Sequence, residues 1–192
     1  MILTPDNEYC VVLDACVLMP MPLCDTLLRL AEEPAFFCIA WSNQILDEVR
    51  RGLGGPKFGH SPEQVGRRIR AMLNSFPESL FTIPPGLVEG IVGLPDQDDR
   101  HVVALAIHAG ANTIVTNNVR DFPTEAISPH NLSVLSADEF LVHQYHLSPQ
   151  LMMEKLDRQA AGIRRQRADI LLLLENLAPG FCQLCTKREP SP

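Results

Sequence analysis

Three short stretches of this chain are apolar or β-branched without the alternation of a half-exposed strand: Tyr9-Cys10-Val11-Val12-Leu13, Phe36-Phe37-Cys38-Ile39-Ala40 and Thr113-Ile114-Val115-Thr116. Strands that hide both faces belong to parallel sheets covered by helices. Ser133-Val134-Leu135 reads as a last short strand, and a further one is expected around Leu87 to Ile91. Between the strands the apolar spacing is helical. Pro20 and Pro22 open a helix from about Leu23 to Glu33, and Ser42 is placed to cap one from Asn43 to Gly52. Pro62 to Phe76 and Ala137 to Tyr145 continue the alternation, the latter with Ser136 or Asp138 near its start. The expected fold class is α/β, a mainly parallel central sheet flanked by helices.

In such a sheet every strand ends on the same edge, and ligands bind there. Asp14 follows the first strand directly. Leu94-Pro95-Asp96-Gln97-Asp98-Asp99-Arg100-His101-Val102-Val103-Ala104-Leu105-Ala106-Ile107-His108-Ala109-Gly110 sets three carboxylates within four residues against a small-residue helix that Gly110 stops. Capping by Asp96 or Asp98 accounts for one or two of these acids. Three adjacent carboxylates repel unless something positive lies between them, and Mg²⁺ or Mn²⁺ takes oxygen ligands. Glu48 neighbours the inward face of its helix and can reach across the strand ends, although a solvated acid paired with Arg50 or Arg51 is the plainer account. Thr116, Asn118 and Asp121 lie just past the Thr113–Thr116 strand, as ligand-orienting groups or as a polar turn. Four acids from four separate segments thus converge: Asp14, Glu48, Asp99 and Asp121.

The 192 residues suffice for one good core. A net charge of −7 disfavours a dedicated duplex-binding protein without excluding a nuclease whose acids are masked by metal. Residues 1–149 hold 9 Lys and Arg against 18 Asp and Glu, and residues 150–192 hold 7 against 5, so the acid excess lies with the cluster. No apolar run has the length of a membrane span and Met1 to Glu8 does not read as a signal peptide, so a cytoplasmic protein is expected. The six cysteines then read as reduced. Cys182-Gln183-Leu184-Cys185 is a lone C-x-x-C without a second ligand pair for zinc.

After Ser148 the pattern changes. Leu151 to Arg167 and Ala168 to Leu177 read as two helices with more apolar surface than they can leave in water, and Lys187 to Pro192 as a frayed tail. The expected division is a domain over 1–148 and a helical C-terminal extension over 149–192. Residues 150–180 are expected to pack on the domain and leave a groove for a partner beside the acids.

The acids and their settings resemble the PIN-domain family of metal-dependent ribonucleases, in particular its VapC-type toxin branch. The carrying stretches are Val12-Leu13-Asp14-Ala15-Cys16-Val17-Leu18, Glu48 in Ile45-Leu46-Asp47-Glu48-Val49, Asp99 in Pro95-Asp96-Gln97-Asp98-Asp99-Arg100-His101-Val102, and Val115-Thr116-Asn117-Asn118-Val119-Arg120-Asp121-Phe122. The likeness covers about residues 9–145. It implies a PIN-like sheet, Asp14, Glu48, Asp99 and Asp121 as a catalytic quartet holding one or two Mg²⁺ or Mn²⁺ ions, and Thr116 and Asn118 in support, with Asp96 and Asp98 beside them. Single-stranded or looped RNA is the implied substrate, and a cognate antitoxin and a second copy of the chain are the implied partners. Arg50, Arg100 and Arg120 are candidate phosphate contacts, as is the arginine row Arg67, Arg68 and Arg70. Cys16 departs from the family, which often has Asn there, and puts a supporting hydrogen bond in question.

Two other classes use such acids. One is a metal- or RNA-binding PIN-like module without turnover. The other is an aspartate phosphotransferase or receiver-like domain, which usually has a lysine near its nucleophile; here Lys occurs only at 57, 155 and 187, none just after a core strand. No Walker loop and no G-x-G-x-x-G motif competes for the site.

Overall fold

The computed structural model describes residues 9–187. The reading of Met1 to Glu8 and most of the expected tail, residues 188–192, lie outside them. Five parallel strands form one sheet in the order β3-β2-β1-β4-β5: β1 Cys10–Leu13, β2 Cys38–Ser42, β3 Leu80–Phe81, β4 Thr113–Val115 and β5 Ser133–Leu135. β1 is central, with Val12 opposite Ala40 on one side and Ile114 on the other. Val11, Val12 and Leu13 are fully buried, which is why that strand carries no polar residue.

The helices before β4 are α1 Ala15–Leu18, α2 Met21–Ala31, α3 Asn43–Gly54, α4 Pro62–Ser75 and α5 Arg100–His108. Ser42 ends β2 and caps α3, its side chain accepting from the Ile45 N–H at 3.3 Å. Ser61 and Gln64 form a reciprocal cap at the start of α4. From α4, Arg68 donates to the backbone oxygens of Leu18 and Met19 and so braces the end of α1. α3 also approaches α1 closely, since a Cβ on Gly52 would lie 2.0 Å from the Met19 sulfur. Gly110, at φ +65°, ends α5 in the left-handed conformation.

Three expectations are corrected. Leu87 to Ile91 is not a strand: it lies in turns after Pro84 and Pro85, with Gly86 at φ +87°. The edge strand is instead Leu80–Phe81, pairing with Trp41 and Ser42, and two residues are too few to show a pattern. Neither Asp96 nor Asp98 caps α5. Its N-cap is Asp99, which makes no capping bond, while Asp96 accepts from the Asp98 N–H at 2.9 Å and closes the turn before it. Among the described residues the extension holds three helices rather than two.

α6 Thr124–Ile127 lies between β4 and β5, and after β5 come α7 Ala137–Leu147, α8 Pro149–Gly162, α9 Arg167–Leu174 and α10 Pro179–Lys187. Gly162 ends α8 early and Arg164 turns the chain at φ +56°. α10 begins at Pro179-Gly180, a pair that reads as a break; proline is tolerated in the first turn of a helix. α8 packs on α2 and α9, and α10 on α7 and α9. The contact with α2 is polar as well as apolar. Gln159 accepts from the Thr26 hydroxyl at 2.8 Å and donates to the Pro22 carbonyl at 3.0 Å, and buried Lys155 donates to the Glu32 carbonyl at 2.6 Å. Asp138 of α7 caps α10, accepting from the Gly180 and Phe181 N–H groups at 3.0 and 2.8 Å. Phe181 is fully buried edge-on to Tyr145. Among the described residues no helix is long and apolar enough to cross a membrane.

Truncating Phe181 therefore opens a cavity between α7 and α10. Phe181→Ala should cost about 3–5 kcal/mol, read as a lowered urea midpoint in one cooperative transition. A chain ending at Ser148 should become insoluble or melt far lower, because it uncovers α2 and α7. Normal melting of that fragment would make the extension an attached arm instead.

Candidate functional site

Asp14 stands where β1 ends and α1 begins, and only 5 % of it is exposed. Its Oδ1 accepts from the Ala15 N–H at 2.6 Å. Its Oδ2 accepts from the Thr116 hydroxyl at 2.6 Å and from the Cys16 thiol at 3.1 Å. Thr116 follows β4, so one carboxylate ties together the ends of two adjacent strands. Thr116 Oγ1 accepts in turn from the Asn118 N–H at 3.0 Å, and the Cys16 sulfur from the Asn117 N–H at 3.1 Å. The thiol thus supplies the support that its departure from asparagine put in question. Burial, then the neighbouring Asp14 charge, pushes the Cys16 thiol up to about 12, so it remains a thiol donor.

Asp99 is half-buried at the start of α5. Its carboxyl is raised to about 6, first by burial and then by the charges of Asp14, Asp96, Asp121 and Glu48. These acids come from the end of β1, from the short turn Val119–Asp121 that follows β4, from α3 and from the loop before α5. The structure therefore brings the other three acids singled out in the sequence within electrostatic reach of Asp99, with Asp96 as a fourth. Asp98 is exposed and instead lines a cleft of about 610 Å³ with Gln44, Asp47, Glu48, Arg50, Arg51 and His101.

Glu48 is held from two sides. The buried His101 Nε2 lies 2.8 Å from its Oε1, and Arg51 lies 4.0 Å away. The sequence reading passed over His101. Its signal was an imidazole two residues past Asp99, on the stripe that continues with Leu105. Asn117 was passed over as well: its side-chain oxygen accepts from the Ala137 N–H at 3.2 Å and fixes the loop after β4 to the start of α7. Asn118 contributes its backbone N–H, and its side chain is exposed. Of the candidate phosphate contacts, Arg50 pairs with Asp47 at the cleft, Arg100 is half-buried and Arg120 is exposed. Arg68 is committed to α1. Cys182 and Cys185 are buried in α10, and burial raises their thiols to about 11 and about 12.

The donors at this edge are carboxylate oxygens, the ligand type that hard divalent cations take. Among the described residues no three His, Cys, Asp or Glu side chains are already closed about a single point as an ion cage. The donor chemistry and the mutual repulsion on Asp99 nevertheless fit a cation in this place, which would relieve that repulsion.

Residues 10–120 match the family model described as the PIN domain. A 49-residue stretch is 43 % identical to a protein of Mycobacterium tuberculosis (strain ATCC 25618 / H37Rv) bearing the name "Putative ribonuclease VapC50". That match covers 26 % of this chain and 29 % of the relative, so it spans under a third of the relative's length. Comparison with solved structures gives no match.

The raised Asp99 carboxyl sets the direction of a pH effect. The folded state holds that proton more tightly than the unfolded chain does, so this group's contribution to stability is greatest below the ordinary carboxylate range. It is lost as pH rises from there through about 6. In EDTA at pH 7.5, Asp99→Asn should therefore melt above the wild type, and the gap should narrow toward pH 4.5. A lower melting temperature for the variant at pH 7.5 would mean that Asp99 is not under repulsion.

Proposed function

This chain belongs to the PIN-domain family, and we propose that it is a metal-dependent endoribonuclease, the toxin of a toxin–antitoxin pair. The observation that carries this reading is the convergence of Asp14, Asp96, Asp121 and Glu48 on Asp99. In the proposed site Asp14, Glu48, Asp99 and Asp121 hold one or two Mg²⁺ or Mn²⁺ ions. A bound divalent cation supplies Lewis acidity, making an attacking water more acidic and drawing charge from the phosphate and the leaving oxygen.

The protein's part is to prepare the carboxylates. Thr116 and Cys16 fix Asp14 through hydrogen bonds to Oδ2, leaving the group oriented before any ligand arrives. Asp99, lying in the middle of the acids, is the group most relieved by a cation. Asp96 adds charge from the loop, and Asn118 holds Thr116 through its backbone. The cleft beside Glu48 presents Arg50 and Arg51 to a phosphodiester backbone, and Arg100 and Arg120 flank the acids in sequence. The substrate is RNA, in keeping with the name of the Mycobacterium tuberculosis relative, and single-stranded or looped stretches are the form proposed for it. The partners are an antitoxin that covers the acidic edge with a basic side chain, since a guanidinium competes for the same carboxylates, and a second copy of the chain. We place the protein in the cytoplasm with its RNA.

Cleavage of a labelled RNA in Mn²⁺, with EDTA as the control, tests the reading on the wild type, Asp14→Asn and Glu48→Gln. The wild type should cleave only with metal. Each variant should fold and lose at least about 10²-fold in rate, the order that positioned catalytic groups contribute. RNA bound but left intact by the wild type would leave a binding module without turnover. Near-normal cleavage by Glu48→Gln would return Glu48 to a solvated helix acid.

A further inference from the structure

We propose that His101 is a positioning residue for the metal site, and that it acts by holding Glu48 in place through its Nε2–H. The inference rests on the proposed function above, in that Glu48 is taken as a ligand.

The geometry is specific. His101 lies in the first turn of α5, two residues past Asp99, and only 4 % of it is exposed. Its Nε2 lies 2.8 Å from Glu48 Oε1, on α3 across the strand ends. A carboxylate can only accept, so Nε2 carries the proton and donates. The Nδ1 atom is buried and has no hydrogen-bond partner among the described residues. Buried polar atoms are ordinarily paired, and one left unpaired is a cost that asks for a reason. Here one nitrogen is given up while the other is aimed at a carboxylate in the acidic site.

The arrangement also answers a mechanical problem. Glu48 comes from a different helix than Asp99, and its other neighbour, Arg51, is exposed and 4.0 Å away. Long carboxylates on a helix surface are mobile. A short bond from a buried ring on α5 couples Glu48 to the same helix turn that carries Asp99, so the two acids keep a constant relation. Hydrogen-bond partners behind a ligand typically change metal affinity by roughly 10–100-fold when removed.

The test uses the full chain and Mn²⁺ alone, with affinity read by calorimetry. His101→Leu should weaken Mn²⁺ binding by at least about tenfold. His101→Gln, whose amide N–H can stand near Nε2, should recover most of that loss. In a Glu48→Gln background His101→Leu should cost nothing further, because the ring acts through Glu48. Wild-type Mn²⁺ affinity in folded His101→Leu overturns the proposal. So does equal loss in the leucine and glutamine variants, or full additivity with Glu48→Gln. Should His101→Leu fail to fold, the wild type decides by nitrogen-15 NMR of its imidazoles. The Nε2–H form, with that proton slow to exchange, is expected for His101, and the Nδ1–H form overturns the proposal. Wild-type protein that binds no Mn²⁺ overturns the metal reading itself. Mn²⁺ binding and RNA cleavage that persist without any His101 effect sink this inference alone.

Discussion

The edge of this protein that carries its acids depends on one carboxylate taken out of water. Asp14 is nearly inaccessible, and it is tolerable there because three donors surround it: the Ala15 N–H, the Thr116 hydroxyl and the Cys16 thiol. A buried carboxylate without such donors costs several kcal/mol. Satisfied, it does structural work. It caps the short α1, ties the ends of β1 and β4, and through Thr116 sets the loop that leads to Asp121. The fold therefore builds its charged edge outward from the most buried acid.

The rest of that edge is under repulsion. Asp99 sits in a field of four other acids and holds its proton up to about 6. Nothing in the core requires this. Asp99 occupies an N-cap position, where an acid normally earns its place by accepting a backbone N–H, yet it makes no such bond. A capping bond is thus not what keeps Asp99 there, and the cation proposed for this edge would relieve the repulsion it carries. Such sites trade local stability for binding, and the apolar body of α5, with Val102 to Ala106 buried, supplies the rigidity that holds the acids together.

The strands β1, β2, β4 and β5 and the longer helices α2 to α5 were legible because each is long enough, or apolar enough, to reveal its period, whereas the four residues of α1 and of α6 show none. β3 was not, since two residues carry no period and its pairing is decided by Trp41 and Ser42 across the sheet. The Leu87–Ile91 run misled because apolar content outweighed the prolines and glycines around it. Three of the acids could be found because Asp14 directly follows a strand, Asp121 closes the turn beyond another and Asp99 opens a helix. Glu48 was a candidate because it neighbours the inward face of its helix, and the family pattern added weight, for nothing local separates it from a surface acid. His101 stayed hidden for the opposite reason: a lone histidine on a buried helical stripe is ordinarily a core residue, and its partner lies 53 positions away.

The extension belongs to the same argument. Its first helix, α8, meets α2 through Lys155, Gln159 and Thr26, polar groups buried at a helix interface. Burial lowers the pKa of Lys155, with the Glu32 charge acting against it, and the ammonium donates to the Glu32 carbonyl. Bonds of this kind add little net stability over an apolar contact, but they permit one alignment and penalise slipped ones. Gln159 donates to Pro22, at the first turn of α2, which follows directly from α1. α1 begins at Asp14. An alignment fixed between α8 and α2 is thus passed through two short steps of chain to the most buried acid, while Arg68 braces the same turn from α4. α8 is in this way more than a cover for apolar surface, since its buried polar bonds anchor it to the first turn and the end of α2, the helix that follows Asp14 and α1.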